Sequence, residues 1–226
     1  TMFYTHLIVP LFNKLVPLKE GDLKSQIVEF SKNTGFKLKD IFVIDGSKRS
    51  TKANAFFSGL GKKKRIVLFD TLIDELKNNE IVAVLAHEIG HYKKKHTSVN
   101  LVISVIQTGL TLYILSLLID NPLLSQALGV EEPSFHIGLI TFSLLYSPIS
   151  TILGIGTNII SRKNEFAADA FAEKHELGNS LIEALKKLSR KNLSNLTPHP
   201  AYVFVNFSHP PLLQRIRSLK QSNTEN

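Results

Sequence analysis

Two long stretches without charge constrain this chain more than any other feature. Residues 97–119 run for 23 positions with no Asp, Glu, Lys or Arg, and residues 134–161 run for 28. A helix needs about 20 mostly apolar residues to cross a bilayer, so both stretches are long enough. Gln107, Gly109, Pro148, Gly154 and Gly156 weaken them as helices, and the competing expectation is a pair of core helices in a soluble protein. Core helices are usually shorter and broken by charge, which favours two membrane spans. Lys93, Lys94, Lys95, Arg162 and Lys163 stand at the far ends of this hairpin, whereas the connector, residues 120–133, has no Lys or Arg. By the positive-inside rule the basic ends face the cytoplasm. The formal net charge of +8 then suits an anionic membrane face, and no nucleic-acid partner is expected.

The spans divide the chain into four parts. Residues 1–17 are apolar apart from His6, Asn13 and Lys14, and read either as the end of a further membrane helix or as a buried N-terminal helix. They lack the basic start and small-residue cleavage site of a signal peptide. The start at Thr1 suggests a piece of a longer protein. Residues 18–96 hold an amphipathic helix over 18–37, then short β-type runs at 41–45, 53–57 and 65–69, expected to form a small antiparallel sheet. A helix is expected over 74–95. Residues 97–161 are the spans. Residues 162–226 read as soluble, with helices over 164–175, 180–191 and 210–220, the last opening on Pro210-Pro211.

Within the helix over 74–95 lies His87-Glu88-Ile89-Gly90-His91. Residues i and i+4 share a helix face, so two imidazoles can reach one tetrahedral zinc ion. Glu88 is turned off the ligand pair and can act as general base toward a water that the metal acidifies. The chain has no cysteine, so the third ligand must come from His, Asp or Glu. The extended motif with a third histidine three turns on fails, because Lys94 and Thr97 occupy its Gly and His positions and His96 misses the spacing by one. Glu131 and Glu132 fall on the wrong side of the membrane in this topology, and Glu173 and Glu183 are weaker choices. Glu165 follows the second span directly, with Asp169 at i+4, where it can hold a ligand histidine by its free ring N–H. His6, His136, His175 and His199 have no partner at ligand spacing and read as surface or interface residues.

Several segments, in order along nearly the whole chain, resemble the type I CAAX prenyl protease family. They are Gly46-Ser47-Lys48-Arg49-Ser50, Asn54-Ala55-Phe56, Arg65 to Asp70, the His87–His91 motif, Ser161-Arg162-Lys163 with Glu165-Phe166 and Ala168-Asp169-Ala170, and Ser208-His209-Pro210-Pro211-Leu212-Leu213. The resemblance implies an integral membrane zinc metalloendopeptidase with one Zn2+ per chain and its catalytic side cytoplasmic, in the endoplasmic reticulum of a eukaryote or the inner membrane of a bacterium. It implies a mainly helical α+β fold, a zincin-like catalytic domain with a small antiparallel sheet plus a hairpin of two transmembrane helices. Its substrates would be peptides or proteins, prenylated in the CAAX-processing type, where the C-terminal tripeptide is removed, and unmodified in a membrane-protein quality-control type. Carried onto this chain, His87, His91 and Glu165 are ligands and Glu88 is the base. Asn54 and Ala55 lie on an edge strand that pairs with substrate, and His209 stabilises the oxyanion. Arg215 matches an arginine that either contacts substrate or forms a structural ion pair with Asp169. Lys163 departs from the family, where a second arginine often stands. Outside the protease class, the alternative is a non-catalytic membrane protein whose metal clamps a helix pair; Glu88 beside an open coordination position argues against it.

Overall fold

The computed structural model describes residues 14–48, 54–58, 64–132 and 134–224. The first thirteen residues of the expected N-terminal segment, with His6, and Arg49-Ser50 lie outside them. Residues 15–17, also read as apolar helix, are instead a short strand, β1 (Leu15–Pro17). Then come α1 (Asp22–Asn33), β2 (Leu38–Ile44), β3 (Ala55–Ser58), β4 (Lys64–Phe69), α2 (Asp70–Glu75), α3 (Asn78–Lys93), α4 (His96–Leu118), α5 (Pro122–Ala127), α6 (Phe135–Lys174), α7 (Gly178–Lys191), α8 (Pro200–Asn206) and α9 (Leu212–Thr224).

Contacts divide the chain into two units. The first comprises Thr1–Lys94, Asn164–Pro198 and Pro210–Asn226; the second comprises Lys95–Lys163 and His199–His209.

The first unit is built on a four-stranded sheet in the order β1-β2-β4-β3. Its β1–β2 and β3–β4 pairs are antiparallel, but β2 and β4 run parallel, with Ile41 opposite Ile66 and Ile44 opposite Phe69. The expected all-antiparallel sheet is therefore corrected to a mixed one. The cause lies in β4: Ile66, Val67 and Leu68 are each no more than 1% exposed, so both faces of this strand need cover and it takes a central place. Inserted between β2 and β3, it pairs with the one as a parallel neighbour and with the other as a hairpin. Among the described residues, this leaves β3 at the sheet edge, with no strand paired on one side of its backbone.

Helix α3 packs on this sheet. Ile81 and Leu85 join Ile27, Ile66, Leu68 and Leu72 in one core cluster, while Ala83 and Ala86 meet Leu181, Ile182 and Leu219 from α7 and α9 in another. Fully burying a side chain such as Ile81 or Leu85 contributes about 1.5–3 kcal/mol, so the helix is anchored from both sides. Its start is fixed by buried Glu80, whose Oε2 accepts from the Lys77 N–H (2.8 Å) and from Lys187 Nζ (2.7 Å) on α7. Sequence periodicity predicts one helix over 74–95. The structure instead has α2, a break at Leu76–Lys77 where both residues are extended, and then α3.

The second unit contains α4 and the first part of α6, two helices long and apolar enough to cross a membrane. They are not core helices: Leu101, Val105 and Leu117 of α4 are 65%, 64% and 60% exposed. Where they approach, Gly138 is required, because a Cβ there would lie 2.2 Å from the Ile119 carbonyl oxygen. The connector carries α5, capped by Asn121 Oδ1 accepting from the Leu123 N–H at 3.0 Å. The expected break before a separate helix at 164–175 is absent, and α6 runs unbroken for 40 residues through Pro148. Residues 161–164 change polarity but include no helix breaker, so the charge boundary marks an environment rather than a helix end.

Candidate metal centre

The helical spacing of His87 and His91 puts both rings on one face of α3, with their Nε2 atoms 3.1 Å apart. Glu165, on the part of α6 that belongs to the first unit, completes the group: Oε2 lies 3.5 Å from His87 Nε2 and Oε1 lies 3.2 Å from His91 Nε2. His87 and Glu165 are buried and His91 is half-buried. Four ligands at zinc distances of 2.0–2.1 Å and tetrahedral angles are about 3.3 Å from one another. Each of these separations, the two to Glu165 ending on different carboxylate oxygens, is close to that spacing, so the donor set fits a zinc ion.

Helix α6 can bring Glu165 this close because position 90 is glycine. A Cβ there would sit 3.0 Å from Phe171 Cβ, 3.1 Å from Ala168 Cα and 3.2 Å from the Ala168 carbonyl oxygen. The small pair Gly90 and Ala168 is the contact on which the two helices meet. Sequence reading passes over it, although a glycine inside a helix and an alanine between two acidic positions are the signal that could have found it.

Behind the donors stands a charged layer. His87 Nδ1 is 2.8 Å from Asp169 Oδ1, so Nδ1–H donates to the carboxylate and the Nε2 lone pair faces the triangle. Arg215 on α9 holds Asp169 with both arms, Nε to Oδ2 at 2.8 Å and Nη2 to Oδ1 at 2.6 Å, and its Nη1 lies 3.6 Å from Glu165 Oε2. Of the two sequence readings of Arg215, the geometry has the ion pair. The 3.3 Å separation of Arg215 Nη2 and His87 Nδ1 is a contact of two donors, both satisfied by Asp169.

These neighbours set the proton affinities. Burial opposes a charge on His87, but hydrogen bonds to Asp169 and Glu165 outweigh it and push the imidazole up to about 9 without metal. Burial likewise pushes Asp169 up, and its bonds from His87 and Arg215 more than reverse this, holding it below the usual carboxylate range. Glu88 goes the other way: burial raises it, against the opposing pull of His87 and His91. A carboxylate raised toward neutrality beside a metal site is suited to take up a proton.

The other predicted residues come from other elements. Asn54 is exposed and leads into edge strand β3, where its Oδ1 accepts from the Ala55 N–H at 2.9 Å and its carbonyl from the Phe69 N–H at 3.0 Å. Ala55 is buried opposite Leu68, and β3 packs against α3. His209 belongs to the second unit, in the turn after α8. His175, expected at a surface, is half-buried with its ring edge-on to Phe30 and Phe171. His199 caps α8, its Nδ1 accepting from the Ala201 N–H at 3.3 Å.

Two histidines one turn apart and a glutamate from a second helix, with the half-buried Glu88 next in sequence to His87, form a three-donor set that suits an open metal site with room for water better than a closed structural one. Residues 17–223 match the Peptidase family M48, and the chain belongs to that family. It is 42% identical over 217 residues to the CAAX prenyl protease 1 homolog of Arabidopsis thaliana, covering 96% of this chain and 51% of that protein. With the Homo sapiens homolog the identity is 36%, covering 96% and 54%; with CAAX prenyl protease 1 of Saccharomyces cerevisiae it is 38%, covering 94% and 50%. Among solved structures, S. mikatae Ste24p superposes with a TM-score of 0.88 at 38% identity, over 96% of this chain and 54% of that one. The chain spans about half the length of the curated relatives it matches.

Proposed function

We propose that this chain carries the metal centre of a membrane zinc endopeptidase of the CAAX-processing type, which releases the C-terminal tripeptide of prenylated substrates on the cytoplasmic side. The observation that carries the reading is the group of His87, His91 and Glu165, whose donor atoms approach one another to 3.1–3.5 Å, with half-buried Glu88 next in sequence to His87. Bound zinc supplies a Lewis acid that acidifies a water and polarises the scissile carbonyl. Glu88 takes the proton and returns it to the leaving amine. Asp169 fixes the His87 tautomer, and Arg215 fixes Asp169. Asn54 and Ala55 present the open edge of β3 to the substrate backbone, a form of strand addition. His209 donates to the developing oxyanion, a role supported by the resemblance. The lipid-length helices α4 and α6, to about residue 161, span the membrane.

The test is cleavage of a farnesylated CAAX peptide and of an unmodified membrane-protein fragment by purified protein, with zinc measured alongside. Glu88→Gln is expected to keep its zinc and lose turnover. Equal cleavage by parent and Glu88→Gln overturns the assignment of the base. Cleavage of the unmodified fragment alone refutes the CAAX type and leaves the endopeptidase.

A further inference from the structure

Helix α1 buries a hydroxyl that the fold leaves without a partner. Ser31 stands four residues after Ile27, on the same face of the helix, and the two are 2% and 1% exposed. Ile27 packs into the core cluster with Ile66 and Leu68. A serine inside a helix ordinarily turns its hydroxyl onto the carbonyl four residues back. Ser31 Oγ has no hydrogen-bond partner at all, although the Ser31 carbonyl accepts from the Phe36 N–H at 2.8 Å and the Thr34 hydroxyl at 3.2 Å. A buried hydroxyl without a partner costs free energy that alanine would avoid, so its presence calls for an explanation.

Ser31 lines a cavity of about 550 Å³, built from α1, the turn after it and β2. Val28, Phe36, Leu38 and Ile41 give it apolar walls, and Lys24, Lys32, Lys37 and Lys39 line it beside a single acidic residue, Asp40. Asp40 is already engaged by Arg65 at 3.4 Å and Lys39 at 3.9 Å, and Lys24 is paired with Glu20. Lys32 and Lys37 are exposed and form no ion pair among the described residues. All of these residues lie in the first unit. The polar groups left for an occupant are therefore donors, one hydroxyl and two ammoniums, set against an apolar wall. Small-molecule sites commonly measure about 300–1,000 Å³ and combine such walls with a few placed polar groups. Charge complementarity calls for an anion rich in acceptor oxygens, and the walls call for an apolar chain behind it. The same protein carries two lipid-length helices, so the amphiphiles it meets are those of a membrane. We propose that this cavity binds a single-chain anionic lipid, an alkyl chain ending in a phosphate or carboxylate. The Ser31 hydroxyl and the Lys32 and Lys37 ammoniums donate to its head group.

Calorimetric titration of the full-length protein with octyl phosphate, in a neutral maltoside detergent, tests this. Partition of the probe into micelles is common to every variant and cancels. The parent is expected to bind octyl phosphate saturably. Octanol has the chain without the charge, and inorganic phosphate the charge without the chain; each should bind about tenfold or more weakly. The pair Lys32→Gln and Lys37→Gln should weaken octyl phosphate about tenfold or more, and Ser31→Ala about tenfold. Ser31→Ala should do so with a melting temperature no lower than the parent's, because the hydroxyl it removes is unpaired. Octanol binding as tightly as octyl phosphate marks a bare apolar groove and overturns the proposal. Inorganic phosphate binding as tightly marks a charge cluster alone and overturns it too. So does a parent that binds no octyl phosphate, or parental affinity in either variant. If Ser31→Ala does not accumulate, Val28→Phe, which fills the cavity from the same helix, takes its place and should abolish binding.

Discussion

Gly90→Ala tests whether the approach of two helices holds the metal site together. At an unstrained helix position, Gly to Ala stabilises a protein by about 0.8–1 kcal/mol. Here the added methyl would meet Phe171 Cβ at 3.0 Å and the Ala168 backbone at 3.1–3.2 Å, whereas carbon atoms rest about 3.5–4.0 Å apart. Two of these atoms are backbone of a helix that cannot rotate away, so α3 and α6 must separate by about half an ångström. Glu165 sits on the displaced helix, and metal–ligand distances tolerate only about 0.2 Å. Zinc affinity should fall about 10- to 100-fold, by analogy with the loss of a group that orients a ligand, and kcat/KM should fall with it as the reacting groups lose register. Competition with a fluorescent chelator reads the first, and peptide cleavage at saturating zinc reads the second. Affinity within about twofold of the parent would refute the argument.

Asp169→Asn keeps the shape but removes the charge that pairs with Arg215 and orients His87. A loss of zinc affinity of about 10- to 100-fold and of roughly 3 kcal/mol of stability is expected, read by chelator competition and denaturant unfolding. Because His87 without metal is pushed up to about 9 from 6.5, its stabilisation of the metal-free protein is fully present below pH 6.5 and is lost as pH rises to about 9. At pH 7 that proton must leave when zinc binds. Calorimetry in buffers of different ionisation enthalpy should therefore find about one proton released from His87 per zinc at pH 7, beside any given up by the acidified water, and the His87 share should fall to about a tenth by pH 10. Ala55→Pro removes the edge N–H of β3 that Asn54 Oδ1 occupies in the free protein and that a substrate carbonyl would take over, at an edge position where proline is tolerated. KM should rise about tenfold, the equivalent of one lost hydrogen bond, with zinc content unchanged; an unaltered KM would remove β3 from the substrate path.

Local chemistry was the most legible part of this sequence. The i, i+4 histidines and the charge-free stretches depend on one helix at a time, and the structure has the helices that those patterns require. Glu165 could be singled out because a chain without cysteine leaves few other donors. Pairing choices were less legible. Nothing in the alternation of residues 41–69 says that β4 lies between β2 and β3; that follows from its need for cover on both faces. Nor does the pattern at 161–164 distinguish a membrane boundary from a helix end. Contacts between distant segments, such as Gly90 on Ala168 and Arg162 on the α8 carbonyls, involve residues whose types have ordinary local explanations, a helix-weakening glycine and an interfacial arginine.

The central claim is that His87, His91 and Glu165 hold one zinc ion and leave a position open for water. X-ray absorption spectroscopy of the zinc-loaded protein, beside Glu165→Ala, tests it most directly. Two imidazole nitrogens and two oxygens at about 2.0–2.2 Å are expected in the parent, with an oxygen lost and binding sharply weakened in the variant. A shell with three imidazoles, or a variant that binds zinc as tightly as the parent, would contradict the account.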